Sequence, residues 1–162
     1  MKKIILFLAC AFGSYVSQSQ TVTSSDLTAL KGEWKGQLLY LDYSSSKQET
    51  IKASLTVKEL SDGKVELNFS YPNEPDYKSK ELYTIRQNGT YISDMKVIER
   101  SALADGGLRI VLEEKGKDGN QNLPATFHHI IELKGNSISL AKQVKFDSGG
   151  EFFERNRYTL SR

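Results

Sequence analysis

Two stretches at opposite ends of the chain decide its fold: Leu30-Lys31-Gly32-Glu33-Trp34-Lys35-Gly36 and Glu154-Arg155-Asn156-Arg157-Tyr158-Thr159-Leu160. The first sets the single tryptophan of the sequence just after a glycine, at the start of the first strand-like segment. The second puts two arginines in the last such segment. When an antiparallel sheet closes on itself, its first and last strands become neighbours, so an arginine from one end can lie over an indole from the other. Gly32, Trp34 and Arg157, with Arg155 as the alternative cation, are therefore expected to form the seam of a closed barrel.

The residues between these stretches alternate strand and turn. Segments rich in β-branched and aromatic residues are expected over 33–43, 49–59, 64–71, 78–87, 90–99, 107–114, 124–133, 136–146 and 151–161. Asn88-Gly89 carries the strongest turn signal, because a type I′ turn needs positive φ at both central positions. Asp62-Gly63, Gly135-Asn136 and Ser148-Gly149-Gly150 read in the same way. Short hairpins join only antiparallel neighbours, and a long meander loses its exposed edges by closing. Ile51, Ala53, Leu55 and Val57 share one strand face opposite Lys52, Ser54, Thr56 and Lys58, and Val65, Leu67, Phe69 and Tyr71 repeat the pattern. One apolar face per strand suits a water-facing barrel rather than a membrane-spanning one. The expected fold is all-β: an antiparallel up-and-down barrel of eight to ten strands. A short helical turn precedes it, capped by Ser24 or Ser25, apolar at Leu27 and Leu30, and ended by Gly32.

The N-terminus reads as an export signal over residues 1–19. Lys2 and Lys3 precede the apolar run Ile4 to Phe12, which is too short for the ~20 residues of a membrane span. Ser17 and Ser19 suit a cut that leaves Gln20 first. Cys10 offers a rival reading as a lipid-modified residue, against which stands Phe7 three positions before it. Removing residues 1–19 takes away two lysines and no acid, so the 22 basic side chains fall to 20 and balance the 20 acidic ones. A neutral domain over residues 20–162 gives nucleic acid or an anionic membrane surface nothing to steer by. It also retains no cysteine for a disulfide, a thiol nucleophile or a thiolate metal site.

Gly32-Glu33-Trp34 after a helical turn, the run of hairpins and Arg157 (or Arg155) in the last strand resemble the calycin superfamily, which holds lipocalins and fatty-acid-binding proteins. The overall look, with Tyr71-Pro72-Asn73-Glu74-Pro75 and the closing Arg-Asn-Arg-Tyr, is most similar to uncharacterised exported lipocalin-like bacterial proteins. The resemblance implies a tryptophan packed at the closed end of the barrel under an arginine. It departs from the family elsewhere. The Thr-Asp-Tyr turn and the disulfide of lipocalins are missing, and Asn156 stands where fatty-acid-binding proteins carry the arginine of an Arg-x-Tyr clamp. The family's ligand-binding residues therefore do not transfer.

Candidate ligand contacts come instead from strand parity. Tyr40 shares a face with Trp34 and Leu38, and Lys142 interrupts the apolar face of Leu140 and Val144, where a lysine needs a partner or loses its charge. Tyr71 opens the proline-rich connection that ends at Tyr77. His128 and His129 are adjacent in a strand and so point to opposite faces, which prevents them from chelating one metal. The polar tract Glu113 to Asn122 reads as a flexible loop, without the terminal glutamate of a calcium loop. No catalytic motif occurs, and no cofactor or metal is called for. The sequence thus points to an exported, monomeric, non-catalytic barrel holding a small hydrophobic or amphipathic ligand. The alternative is a barrel with a filled core whose outer face contacts a cell-envelope protein or glycan.

Overall fold

The computed structural model describes residues 21–162. The expected export signal over residues 1–19 and the alternative lipid site at Cys10 lie outside the described residues.

A five-residue helix, α1 (Ser24–Thr28), leads into ten strands: β1 (Gly32–Asp42), β2 (Lys47–Ser61), β3 (Lys64–Ser70), β4 (Lys78–Arg86), β5 (Tyr91–Ile92), β6 (Met95–Ala102), β7 (Leu108–Asp118), β8 (Leu123–Lys134), β9 (Ser137–Phe146) and β10 (Phe153–Ser161). Each strand pairs antiparallel with its chain neighbours, and β10 returns to β1, so the sheet closes into a barrel. The all-β expectation holds. No helix among the described residues is long and apolar enough to cross a membrane.

Local chemistry moves several boundaries. The helix is capped by Thr23, not Ser24 or Ser25: the Asp26 carboxylate accepts hydrogen bonds from the Thr23 backbone N–H (2.8 Å) and hydroxyl (3.0 Å). The strand expected over 90–99 is two strands, because Ser93 takes a positive φ of 54° and turns the chain between β5 and β6. The turn at Asn88-Gly89 has the expected positive φ at both residues, and Gln87 takes one as well; pairing starts only at Arg86–Tyr91, so the connection is a four-residue loop over 87–90 rather than a two-residue hairpin. Gly89 is required there: a Cβ would stand 2.3 Å from the carbonyl oxygen of Val22, which the turn holds by a hydrogen bond from Val22 N–H to the Gly89 carbonyl (2.9 Å). The tract expected to be a flexible loop, Glu113 to Asn122, is mostly ladder. Glu113 pairs with His128 and Asp118 with Leu123, leaving only residues 119–122 as the turn.

One end of the barrel is packed solid. Leu27 and Leu30 project from the helical segment onto Trp34, and all three are fully buried with Leu67, Ile92 and Ile110. The Trp34 indole N–H donates to the Leu30 carbonyl at 2.9 Å, so the ring's polar atom is satisfied inside the plug. The Arg100 guanidinium clamps the helix with two hydrogen bonds to Asp26, of 2.8 and 3.1 Å.

The cation over Trp34 is Arg162, 4.4 Å from the ring, and not Arg157 or Arg155. Register explains the correction. Gly36 pairs with Leu160, so two residues further along each strand Trp34 faces position 162. Arg157 lies opposite Leu39 on the outer face and binds Glu154 and Ser139 instead. Gly32 belongs to the same seam. Its φ is +141°, and a Cβ there would come within 3.1 Å of the Arg162 guanidinium.

The wall is incomplete in one place. β4 joins β5 only through Ile85–Ile92 and Arg86–Tyr91, and β6 joins β7 between Lys96–Glu113 and Ala102–Leu108. The outer reaches of β4 (78–84) and β7 (114–118) therefore have no ladder between them among the described residues. Glu81 registers this gap. It shares the inward face of β4 with Tyr83 and lies opposite the fully buried Leu67, yet it is exposed.

Candidate functional site

The inward face of the barrel changes character along its length. Strand register arranges it in oblique rows that cross β7, β8, β9, β10 and β1. The row nearest the plug reads Leu108, Leu133, Ile138, Leu160 and Gly36, and the next reads Ile110, Ile131, Leu140, Tyr158 and Leu38. The third reads Leu112, His129, Lys142, Asn156 and Tyr40. Four polar side chains thus stand side by side on consecutive strands, between the aliphatic rows and a separate buried cluster of Ala125, Phe127 and Val144 further along β8 and β9.

Two adjoining cavities occupy this level. One of about 260 Å³ is lined by Phe69, Glu81, Tyr83, His129, Lys142, Asn156 and Tyr158, among others. Its lining comes from β3–β4 on one wall and β8–β10 on the other, which places it inside the lumen. A second of about 450 Å³ lies toward the mouth and is lined by Leu38, Tyr40, Ile51, Tyr71, Glu74, Tyr77, Asp118, Lys142, Arg155 and Asn156. Lys142 and Asn156 belong to both. The structure therefore brings Tyr40, Tyr71 and Lys142 together around the larger cavity, whereas Gly32, Trp34 and Arg157 line neither.

The electrostatics differ from residue to residue. The Lys142 ammonium sits 3.9 Å over the Phe127 ring and forms no ion pair among the described residues. Its half-buried charge is stabilised by the ring quadrupole alone. The Asn156 amide beside it likewise has no hydrogen-bond partner among the described residues. Next to Lys142, His129 Nε2 lies 2.8 Å from Glu114 Oε1, and on the opposite wall Glu81 shares the inward face of β4 with Tyr83. Burial, then the charges of Glu81 and Glu114, push the Tyr83 phenol far above its ordinary range. Burial and the hydrogen bond with Tyr71 do the same for Tyr158, whose hydroxyl is 2.6 Å from that of Tyr71. Both buried phenols are hydrogen-bonding groups rather than acids at neutral pH.

The mouth is tied rather than loose. Tyr43 donates to Asp118 at 3.2 Å and carries the Arg155 guanidinium 4.1 Å over its ring. Its phenol is pushed up to about 12 by burial and by the Asp118 charge. Arg155 sits at the bulge in β10 and also donates to the Leu41 carbonyl. Asn120 reaches the Tyr43 carbonyl at 3.1 Å. These contacts lash the β1–β2 and β7–β8 hairpins together. On the outer wall, His128 bonds Glu113 at 3.1 Å and stacks on Phe152 with ring centres 4.0 Å apart. The two histidines thus face opposite ways. Among the described residues, no group of three or more His, Cys, Asp or Glu is placed to hold a metal ion.

Sequence reading singled out Tyr40, Tyr71 and Lys142 but missed Asn156, Glu81 and the pairing of His129 with Glu114. Parity with Tyr158 and Leu160 marks Asn156 as inward. Glu81 left no such signal, because Lys78 to Arg86 does not alternate cleanly.

The fold and this site define a closed antiparallel barrel with one end packed and the other lined with polar groups. Among solved structures, the chain is similar to Rv2717c from M. tuberculosis, with a TM-score of 0.59 and 11% identity, covering 85% of this chain and 95% of that one. At that identity the likeness is one of fold. No protein-family model matches the chain, and no curated protein matches its sequence.

Proposed function

We propose that this protein is an exported, calycin-like barrel that works as a non-catalytic monomer and holds a small amphipathic molecule in the open half of its lumen. The observation that carries the reading is the pair of adjoining cavities, about 260 and 450 Å³, which share Lys142 and Asn156 and are walled by Tyr40, Tyr71 and Leu38. Ligand sites occupy volumes of about 300–1,000 Å³, and the larger cavity falls in that range, with Leu38 and Ile51 as its aliphatic wall beside Tyr40, Tyr71, Lys142 and Asn156. A filled barrel serving as an envelope-interaction module would need aliphatic packing up to the mouth. Here the row beyond Ile131, Leu140 and Leu38 is polar from β8 to β1, and the apolar packing that resumes past it, Ala125, Phe127 and Val144 with Phe146 and Phe153, is confined to β8, β9 and β10. Export rests on Lys2, Lys3 and the apolar run from Ile4 to Phe12.

Titration with a lipophilic fluorophore tests the binding reading. Saturable binding at one site per chain, weakened by Leu38→Trp or Ile51→Trp at the cavity wall, is the expected result. Fluorophore binding that both cavity-filling substitutions leave unchanged would remove the lumen from the account. N-terminal sequencing of the protein recovered from its producing cells tests export, and the expected first residue is Gln20.

A further inference from the structure

The lumen presents charges of both signs without pairing them. The larger cavity is walled by Tyr40, Tyr71, Tyr77, Leu38 and Ile51. Where the two cavities meet stand the Lys142 ammonium and the Asn156 amide, directly opposite each other in register. The smaller cavity alone is lined by Glu81, which shares the inward face of β4 with Tyr83 and is exposed at the gap in the wall. Glu81 forms no ion pair among the described residues, and Glu114 beside it is already engaged by His129.

The half-buried charge of Lys142, left without a counterion, costs free energy that a complementary ligand can recover. Lys142 and Asn156 together offer hydrogen-bond donors to an oxyanion. Glu81 offers an acceptor to a protonated amine, and the tyrosines and aliphatic groups at the mouth accommodate an apolar body. A simple fatty acid would satisfy Lys142 and leave Glu81 against its carboxylate or unpaired. A simple amine would do the converse.

Resting on the lumen-binding reading above, we infer that the ligand is amphoteric: an amphiphile whose head group carries both an oxyanion, seated on Lys142 and Asn156, and a protonated amine, seated on Glu81. Carboxylate and phosphate are equivalent in this chemistry. The apolar body lies in the larger cavity among Tyr40, Tyr71 and Tyr77.

Isothermal titration with probes of one chain length tests the inference: 2-aminododecanoic acid, lauroyl lysophosphatidylethanolamine, dodecanoic acid, dodecylamine and 1-dodecanol, each below its aggregation concentration. At least one zwitterion is expected to bind roughly tenfold or more tightly than any probe with one charge or none, as a charge-assisted hydrogen bond implies. The tighter of the two zwitterions identifies the oxyanion as carboxylate or phosphate. Lys142→Met should weaken that zwitterion and dodecanoic acid but not dodecylamine. Glu81→Gln should weaken the zwitterion and dodecylamine but not dodecanoic acid. Unchanged binding of 1-dodecanol shows that both variants keep the lumen intact. The inference is overturned if 1-dodecanol matches the zwitterions, or if either substitution weakens all five probes alike. Failure of every probe, 1-dodecanol included, would instead overturn the lumen-binding reading on which the inference depends.

Discussion

At one end of this barrel Trp34 is fully buried, its indole N–H satisfied by Leu30, its face covered by Arg162 and its floor sealed by Leu27. At the other end Lys142 is half-buried with only an aromatic ring for company, and Asn156 beside it has no hydrogen-bond partner among the described residues. The same strands build both regions. What differs is the inward residue two or four positions further along each one: Ile131 becomes His129 on β8, Leu140 becomes Lys142 on β9, and Leu160 becomes Tyr158 and then Asn156 on β10. The packed end satisfies its polar atoms internally and so supplies stability. The open end leaves the partly exposed Lys142 ammonium and Asn156 amide without hydrogen-bond partners among the described residues, which leaves room for a partner molecule. A division of this kind between scaffold and site is expected where function demands groups that the fold alone would not keep.

The sharpest way to break the comparison is to truncate one large side chain at each end. Trp34→Ala should cost about 3–5 kcal/mol in urea unfolding, the range for deleting a buried aromatic ring. Tyr40→Ala at the mouth should cost no more than about 1 kcal/mol. Equal losses would mean that the open end is as tightly packed as the plug.

Next in size is the helix clamp. Asp26→Asn should cost about 1–2 kcal/mol, less than for a fully buried pair because Arg100 is about a third exposed and solvent screens it. Burial works to raise the Asp26 pKa, but the hydrogen bonds from Arg100 and Thr23 outweigh it and hold the carboxyl below its ordinary value of 3.8. A depressed folded-state pKa stabilises the protein fully above the unfolded value, and that contribution is lost as pH falls through the folded one. The wild-type chain should therefore lose stability on acidification below about pH 4, and part of that loss should be absent in Asp26→Asn.

A smaller effect is expected at the boundary between the regions. Tyr158→Phe and Tyr71→Phe each remove the same interior hydrogen bond, so each should cost about 1 kcal/mol. The double variant should cost less than the sum of the two, since the pair shares one interaction. The smallest effect belongs to the outer surface. Arg86→Ala breaks an ion pair with Asp94 that lies largely in water, and chemical denaturation should detect no change.

The closed end was the more legible of the two in the sequence. Gly32, Trp34, Leu27 and Leu30 announced a plug because burial of large apolar groups after a glycine is a local signal. The partner of Trp34 was not local. Choosing Arg162 over Arg157 requires the β1–β10 register, which a single sequence does not state, and residues 155 and 157 share a parity that proved to be outward or bulged. The same reasoning explains the mixed result at the site. Lys142 stood out because it interrupts an apolar alternation, and Tyr40 because it continues one. Glu81 did not, since its strand faces a gap in the wall and carries no clean period. The strand break at Ser93 also escaped notice, because a serine with positive φ lacks the glycine or asparagine that usually marks such a turn.

Native mass spectrometry of the protein recovered from its own cells or medium tests the central claim most directly. If the open half of the lumen is a binding chamber, a share of the protein should carry a single small-molecule adduct. Collisional activation should remove that adduct, and it should be absent from Leu38→Trp protein prepared in the same way. Wild-type protein that emerges free of any adduct, and that acquires none when incubated with a lipid extract of the same cells, would contradict the account.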